Sequence, residues 1–303
     1  MVDSLEDPYS LYMGPKEFED FMISVSGSFS GVGIALGIDE KGDVIVVSPV
    51  EDTPAQKAGI QPRDKIVRVD DIDLTDKSLD EVVGYIRGEK GTKVTIYIER
   101  VKGQDLLRFD LVREDIRQRT VKQEKLAEDV GYVKITSFDS HTYDDFIKAV
   151  GTLKKQGMKA MVLDIRNNPG GSLHECVLVA DEILGKGLVV YTEDRNKNKL
   201  EEYFSDDKIL GLPLAVLVNE NSASASEIVA GAIQDHGAGI LVGAKTFGKG
   251  SVQELEPFEN GAGIKITIAK YYIPSGRSID GVGVEPDVRV LLEEGLNIFD
   301  VPR

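Results

Sequence analysis

The chain has 303 residues, 41% hydrophobic and 29% charged, which is enough for two domains with sizeable cores. A formal net charge of −16 argues against a nucleic-acid partner, since phosphate binding needs a basic face. Cys176 is the only cysteine, so no internal disulfide forms; no Cys/His cluster has zinc-ligand spacing, and neither metal nor cofactor is expected.

Asp7-Pro8-Tyr9-Ser10 reads as a turn, and a short helix is predicted from near Pro15, with Phe18, Phe21 and Met22 on one side. Residues 1–28 are thus expected to form an N-terminal helical segment packing on the core. Residues 29–114 read as one small mixed domain, with strands at 33–38, 44–47, 65–69, 93–100 and around 106–112. A short helix begins at Thr53-Pro54-Ala55 and stops at Gly59. Ser78 and Glu81 form a capping box, and Leu79, Val82, Val83 and Ile86 line the helix that follows. Arg87 ends that helix, as a cation complementing its C-terminus or as a reporter to the rest of the chain.

Residues 115–303 alternate strands with helices, a pattern that favours a layered α/β core with its site at strand ends. Strands are predicted at 130–135, 160–165 and 214–218. Helical stripes are expected through Tyr143, Phe146, Ile147, Val150 and Leu153, and through Leu173, Val177, Ala180 and Leu184. Cys176 lies on the latter stripe and reads as a small buried hydrophobe. A third helix carries Ile228, Val229, Ala232 and Ile233. Residues 251–255 and 263–273 read as strands near the end of the chain.

Three alternate serines, Ser222, Ser224 and Ser226, stand where the strand 214–218 turns into that third helix. A hydroxyl there faces free helix N–H groups that can stabilise an oxyanion, although Ser224 with Glu227 also fits an ordinary capping box. Lys249 lies between Gly248 and Gly250, which allow close backbone approach. A lysine can activate a serine only if burial lowers its pKa. Gln253, on the following strand, could orient the lysine amine. His141, His174 and His236 are the histidines available to a rival Ser-His-Asp arrangement. Asp235 is 11 residues beyond Ser224, about 16 Å along the helix, too far for direct contact.

The motifs Ser222-Ala223-Ser224-Ala225-Ser226-Glu227, Gly248-Lys249-Gly250 and Gln253 resemble those of the carboxyl-terminal processing proteases, or tail-specific proteases, over nearly the whole chain. The resemblance implies a PDZ domain joined to a peptidase core with the fold of crotonases and Clp-type proteases. It makes Ser224 the nucleophile, Lys249 the general base and Gln253 its orienting residue. The oxyanion hole would combine the N–H of Ala225 with that of Gly170 in Asn168-Pro169-Gly170-Gly171, Gly171 being one residue of register away.

In the PDZ domain, Gly31-Val32-Gly33-Ile34 would receive a peptide's terminal carboxylate, and its last side chain would meet the helix bearing Val82, Val83 and Ile86. Arg87 would gate activity. The Gly281-Val282-Gly283-Val284-Glu285-Pro286-Asp287 segment resembles the family's closing motif. The expected function is a serine endopeptidase that acts on unfolded or tail-exposed proteins outside the cytoplasm. A regulatory protein and a homodimer of the full-length form are the further partners to consider. This chain shows no run of ~18 apolar residues and no signal peptide before Met1. Two rivals stand beside this reading, a PDZ-based scaffold with a latent core and an acyl-transfer enzyme of the crotonase type.

Overall fold

The computed structural model describes residues 2–26, 28–117 and 119–290. The chain divides into two compact units, one of Met1–Ser26 with Arg119–Arg303 and the other of Gly27–Gln118. The larger unit opens with a short 3-10 turn (Val2–Leu5), strand β1 (Leu11–Met13) and helix α1 (Pro15–Ser26). Pro15 occupies the first helical position, where a missing N–H costs nothing.

The smaller unit runs β2 (Ser28–Gly31), β3 (Ile34–Ile38), β4 (Val44–Pro49), α2 (Pro54–Lys57), β5 (Lys65–Val69), β6 (Ile72–Asp73), α3 (Leu79–Ile86), β7 (Lys93–Glu99), β8 (Leu107–Val112) and β9 (Glu114–Arg117). Its main sheet has the order β3-β4-β5-β7-β8, antiparallel throughout, with β6 on β5. Val94, Ile96 and Ile98 alternate into the core of this unit, where they meet Val82 and Ile86 of α3. The capping box of α3 forms in full: Ser78 N–H donates to Glu81 Oε2 at 2.9 Å and Glu81 N–H to Ser78 Oγ at 3.3 Å. The unit is closed by β2 pairing with β9, so the expected boundaries at 29 and 114 both fall inside that pair.

The larger unit continues with β10 (Val121–Lys125), β11 (Val130–Ile135), α4 (Thr142–Lys155), β12 (Ala160–Asp164), α5 (Leu173–Asp181), β13 (Gly187–Glu193) and β14 (Lys199–Ser205). It ends with β15 (Leu214–Val218), α6 (Ala225–Asp235), β16 (Ile240–Gly243), β17 (Ser251–Pro257), β18 (Gly263–Tyr272) and β19 (Val288–Arg289). One sheet has the order β10-β11-β12-β15-β16-β19, parallel except for β10 at its edge. A second, antiparallel sheet has the order β1-β18-β13-β14, with β17 also paired to β18.

Helix α4 packs on β10 and β11, α6 on β16 and β13, and α5 on β13, β14 and both other helices, which joins the two sheets into layers. The core they enclose contains Val133, Leu163, Val216, Ile228, Val229 and Ile233. Because β12 and β15 are parallel neighbours, the loops leaving their C-terminal ends emerge side by side.

Candidate active site

Two of the three alternate serines are structural. Ser222 Oγ donates to Ile165 O at 2.8 Å and Ser226 Oγ to Asn168 O at 3.0 Å, and both residues are fully buried. They fasten the turn after β15 to the loop after β12, as does Ala223 N–H to Asn168 O at 3.0 Å. The middle serine is held differently. Ser224 is the N-cap of α6, with φ 54° and ψ −115°, a left-handed conformation that is strained for a residue with a Cβ. Glu227 N–H donates to the Ser224 carbonyl at 2.8 Å and Glu227 Oε2 accepts Ser224 N–H at 2.9 Å, so the turn carries the reciprocal bonds of the expected capping box.

The loop after β12 approaches this serine through Gly170. A Cβ there would lie 2.8 Å from Ser224 Cβ and 3.0 Å from Ala225 N, so only glycine fits. Asn168, fully buried, shapes the loop: its Nδ2 donates to Ile135 O at 3.0 Å and its Oδ1 accepts Gly170 N–H at 2.8 Å. Gly170 N–H therefore already has an acceptor. Among the described residues Ala225 N–H and Gly171 N–H have none.

Glu227 joins the serine turn to the lysine loop. Its Oε2 accepts Ser224 N–H at 2.9 Å and Lys249 N–H at 2.8 Å, which holds the two nitrogens within ~6 Å of each other. Its Oε1 accepts Gly248 N–H at 2.7 Å and the Thr246 hydroxyl at 2.5 Å. The residue is fully buried. Gly250 lets the loop pass the chain near its end, since a Cβ there would sit 2.3 Å from Asp280 N.

Lys249 is half-buried, and its pKa is lowered first by that burial and then by the charge of Lys265. Its Nζ lies over the ring of Tyr9, 5.1 Å from the centroid. Gln253 Nε2 donates to Tyr9 O at 2.9 Å. Ser224 and Lys249 are thus brought together through Glu227, and Lys249 and Gln253 through Tyr9. Among the described residues no hydrogen bond joins Ser224 Oγ, Lys249 Nζ and the Gln253 amide to one another.

His174 is an exposed residue in the first turn of α5, and the other two histidines lie elsewhere. His236 caps the far end of α6 with Nε2 at 2.8 Å from Leu188 O, and His141 is the N-cap of α4. Asp235 accepts Ser275 N–H and an Arg277 nitrogen, at 2.9 and 2.8 Å, and serves the structure. Cys176 is fully buried, and burial pushes its thiol pKa up, which keeps it inert.

Sequence reasoning gave no role to Asp164 and Arg166, which form an ion pair at the end of β12. Arg166 grips the fully buried Asp164 with Nε at 2.9 Å and Nη2 at 2.7 Å, and Tyr132 OH adds a bond of 2.6 Å. Burial raises the Asp164 pKa, but these bonds outweigh it and hold the carboxyl below its ordinary value. Tyr132 is pushed up to about 12 by burial and by Asp164. The signal available was an acid two residues before a base at a strand end, a pattern too common to single out.

In the smaller unit β3 has one paired edge, on β4, and the other unpaired within its sheet. Val32 and Gly33 precede it, and among the described residues their N–H groups have no acceptor. Gly33 has φ 79°, and a Cβ there would lie 2.4 Å from the Thr53 side chain. On α3, Val82 and Ile86 are buried in the core of the unit and Val83 is half-buried. Arg87 is the C-cap of α3, its N–H bonded to Val83 O at 2.9 Å.

A layered α/β core with a strained serine at a strand-to-helix turn, in a chain that also carries a small β unit with one open edge, fits the class of serine peptidases joined to a peptide-binding module. The chain belongs to peptidase family S41, whose pattern matches residues 129–290, and residues 45–100 match the PDZ domain. It is 38% identical over 292 residues to the carboxyl-terminal-processing protease of Picosynechococcus sp., covering 95% of this chain and 70% of that one. Identity to the carboxy-terminal processing protease CtpA of Bacillus subtilis is 35% over 296 residues, covering 97% of this chain and 63% of the other. Among solved structures, the photosystem II D1 C-terminal processing protease superposes with a TM-score of 0.59 at 32% identity, over 96% of this chain and 80% of that one. The chain spans about two thirds of the length of the curated relatives it matches.

Proposed function

We propose that the chain is the catalytic and substrate-reading part of a serine endopeptidase that cuts proteins near their C-termini, with Ser224 as nucleophile and Lys249 as base. The observation that carries this reading is the strained serine at the N-terminus of α6, tied by Glu227 to the loop of a half-buried lysine whose pKa is lowered. Neutral Lys249 takes the Ser224 proton as Oγ attacks the peptide carbonyl, then delivers it to the leaving amine. Water, deprotonated by the same lysine, hydrolyses the acyl-enzyme.

Ala225 N–H supplies one oxyanion donor. We assign the second to Gly170, because it borders Ala225, whereas Gly171 packs on the Phe138 backbone. Gly170 N–H would then exchange Asn168 Oδ1 for the oxyanion. Gln253 would orient Lys249 through the oxygen of its amide, its nitrogen being held by Tyr9.

A substrate tail would add to the open edge of β3, with its carboxylate on the N–H groups of the Gly31–Ile34 loop and its last side chain against the helix bearing Val82, Val83 and Ile86. The substrates in this reading are unfolded or tail-exposed proteins met outside the cytoplasm.

The test is cleavage of an unfolded protein with an apolar C-terminus by the parent, Ser224→Ala and Lys249→Ala chains. Loss of at least ~10³-fold in kcat is expected in both variants. Parent-like turnover in either would end the assignment, and turnover of a coenzyme thioester instead of protein would favour the crotonase-type reading.

A further inference from the structure

The lysine reaches the site on a flexible four-carbon stem, and Glu227 fixes only its backbone. What locates Nζ itself is the turn at 7–10, which is knotted by its own side chains: Asp7 accepts Ser10 Oγ–H at 2.5 Å and Tyr9 N–H at 3.3 Å. The turn is then hung on β18, where Ser10 Oγ accepts Thr267 N–H at 3.1 Å and β1 continues in register from Leu11 opposite Lys265. This places the Tyr9 ring under Lys249 Nζ and the Tyr9 carbonyl on Gln253 Nε2. One residue thereby touches both the lysine and the glutamine.

We propose that Tyr9 is a positioning residue for Lys249: its ring face holds Nζ in one place and shields it from water, while its carbonyl fixes Gln253 alongside. The proposal rests on the reading of Lys249 as base. A bare aliphatic wall would shield the amine without attracting it, and open space would do neither. The ring attracts the ammonium form, and its bulk, by excluding water, disfavours that form. The other groups facing Lys249 are Lys265 on β18, which repels the ammonium, and the Glu227 carboxylate on α6, whose oxygens are occupied by loop N–H groups and the Thr246 hydroxyl. Asp7 is turned inward to its own turn.

The experiment compares the parent with Tyr9→Phe, Tyr9→Leu and Tyr9→Ala. kcat and KM are measured across pH, and the Lys249 amine is titrated directly by NMR in a Ser224→Ala background, assigned by its loss in Lys249→Ala. Circular dichroism confirms folding. Tyr9→Phe, which keeps the ring, should stay within about twofold of the parent. Tyr9→Ala should lose about tenfold or more in kcat with KM little changed, and its Lys249 midpoint should rise toward that of an exposed lysine. Tyr9→Leu should hold the midpoint at or below the parent value while losing kcat. An unmoved Lys249 midpoint in folded Tyr9→Ala overturns the proposal, whatever happens to turnover. Activity surviving in Lys249→Ala would instead overturn the base reading, and the NMR midpoint would still decide whether Tyr9 governs that amine.

Discussion

Among the three serines the flanking pair bond backward to the β12 loop and the middle one stands in a strained turn, so position alone sets the two anchors apart from the third hydroxyl. The sequence shows the alternation but not which hydroxyls are used up, because Ile165 O and Asn168 O arrive from more than 50 residues away. Lys249 carries a sharper consequence. Its pKa in the folded chain lies below the 10.5 of an exposed lysine, so between those values the unfolded chain binds more protons and stability rises with pH. At lower pH the half-buried ammonium is a cost to folding. Lys249→Met should therefore raise the melting temperature at pH 7, with the gain shrinking toward pH 10.5. Thermal scans over that range check it, and a lower melting temperature at pH 7 would contradict it.

At the level of elements, periodicity was most informative where one face is buried. The capping box of α3 and the stripes of α4 and α6 could be read because helix ends and apolar spacing are local properties. The stripe of α3 does not by itself reveal how deeply each member is buried: Val82 and Ile86 are enclosed by the core and Val83 only half so. The hairpin of β13 and β14 went unread, because β14 (Lys-Leu-Glu-Glu-Tyr-Phe-Ser) is mostly exposed and lacks an apolar alternation.

Gly33 gives the element-scale test. Its positive φ, and a Thr53 side chain that would stand 2.4 Å from an added methyl carbon, leave no room for alanine at the mouth of β3. Gly33→Ala should cost about 1–3 kcal/mol and weaken binding of a C-terminal peptide, while the basal cleavage of an untailed substrate persists. Denaturant melts and peptide titration would decide it, and unchanged peptide affinity would count against this loop as the carboxylate site.

Across the whole molecule, the PDZ match lies in one compact unit and the S41 match in the other. If occupancy of the first governs the second, a C-terminal apolar peptide should stimulate turnover several-fold in the parent, and Arg87→Ala should abolish that stimulation. Unaltered basal and peptide-stimulated rates in Arg87→Ala would remove Arg87 from any coupling role.

The residues around Lys249 also set a timetable for the chain's own birth. The bond from Gln253 to Tyr9 spans 244 residues and that from Thr267 to Ser10 spans 257, so the enclosure of the amine is among the least local features of the fold. Contacts of such separation close late. A ribosome-bound chain can display its N-terminal turn and complete its small β unit long before β17 and β18 emerge to meet that turn, so the surroundings of Lys249 stay unassembled until both strands have left the ribosome.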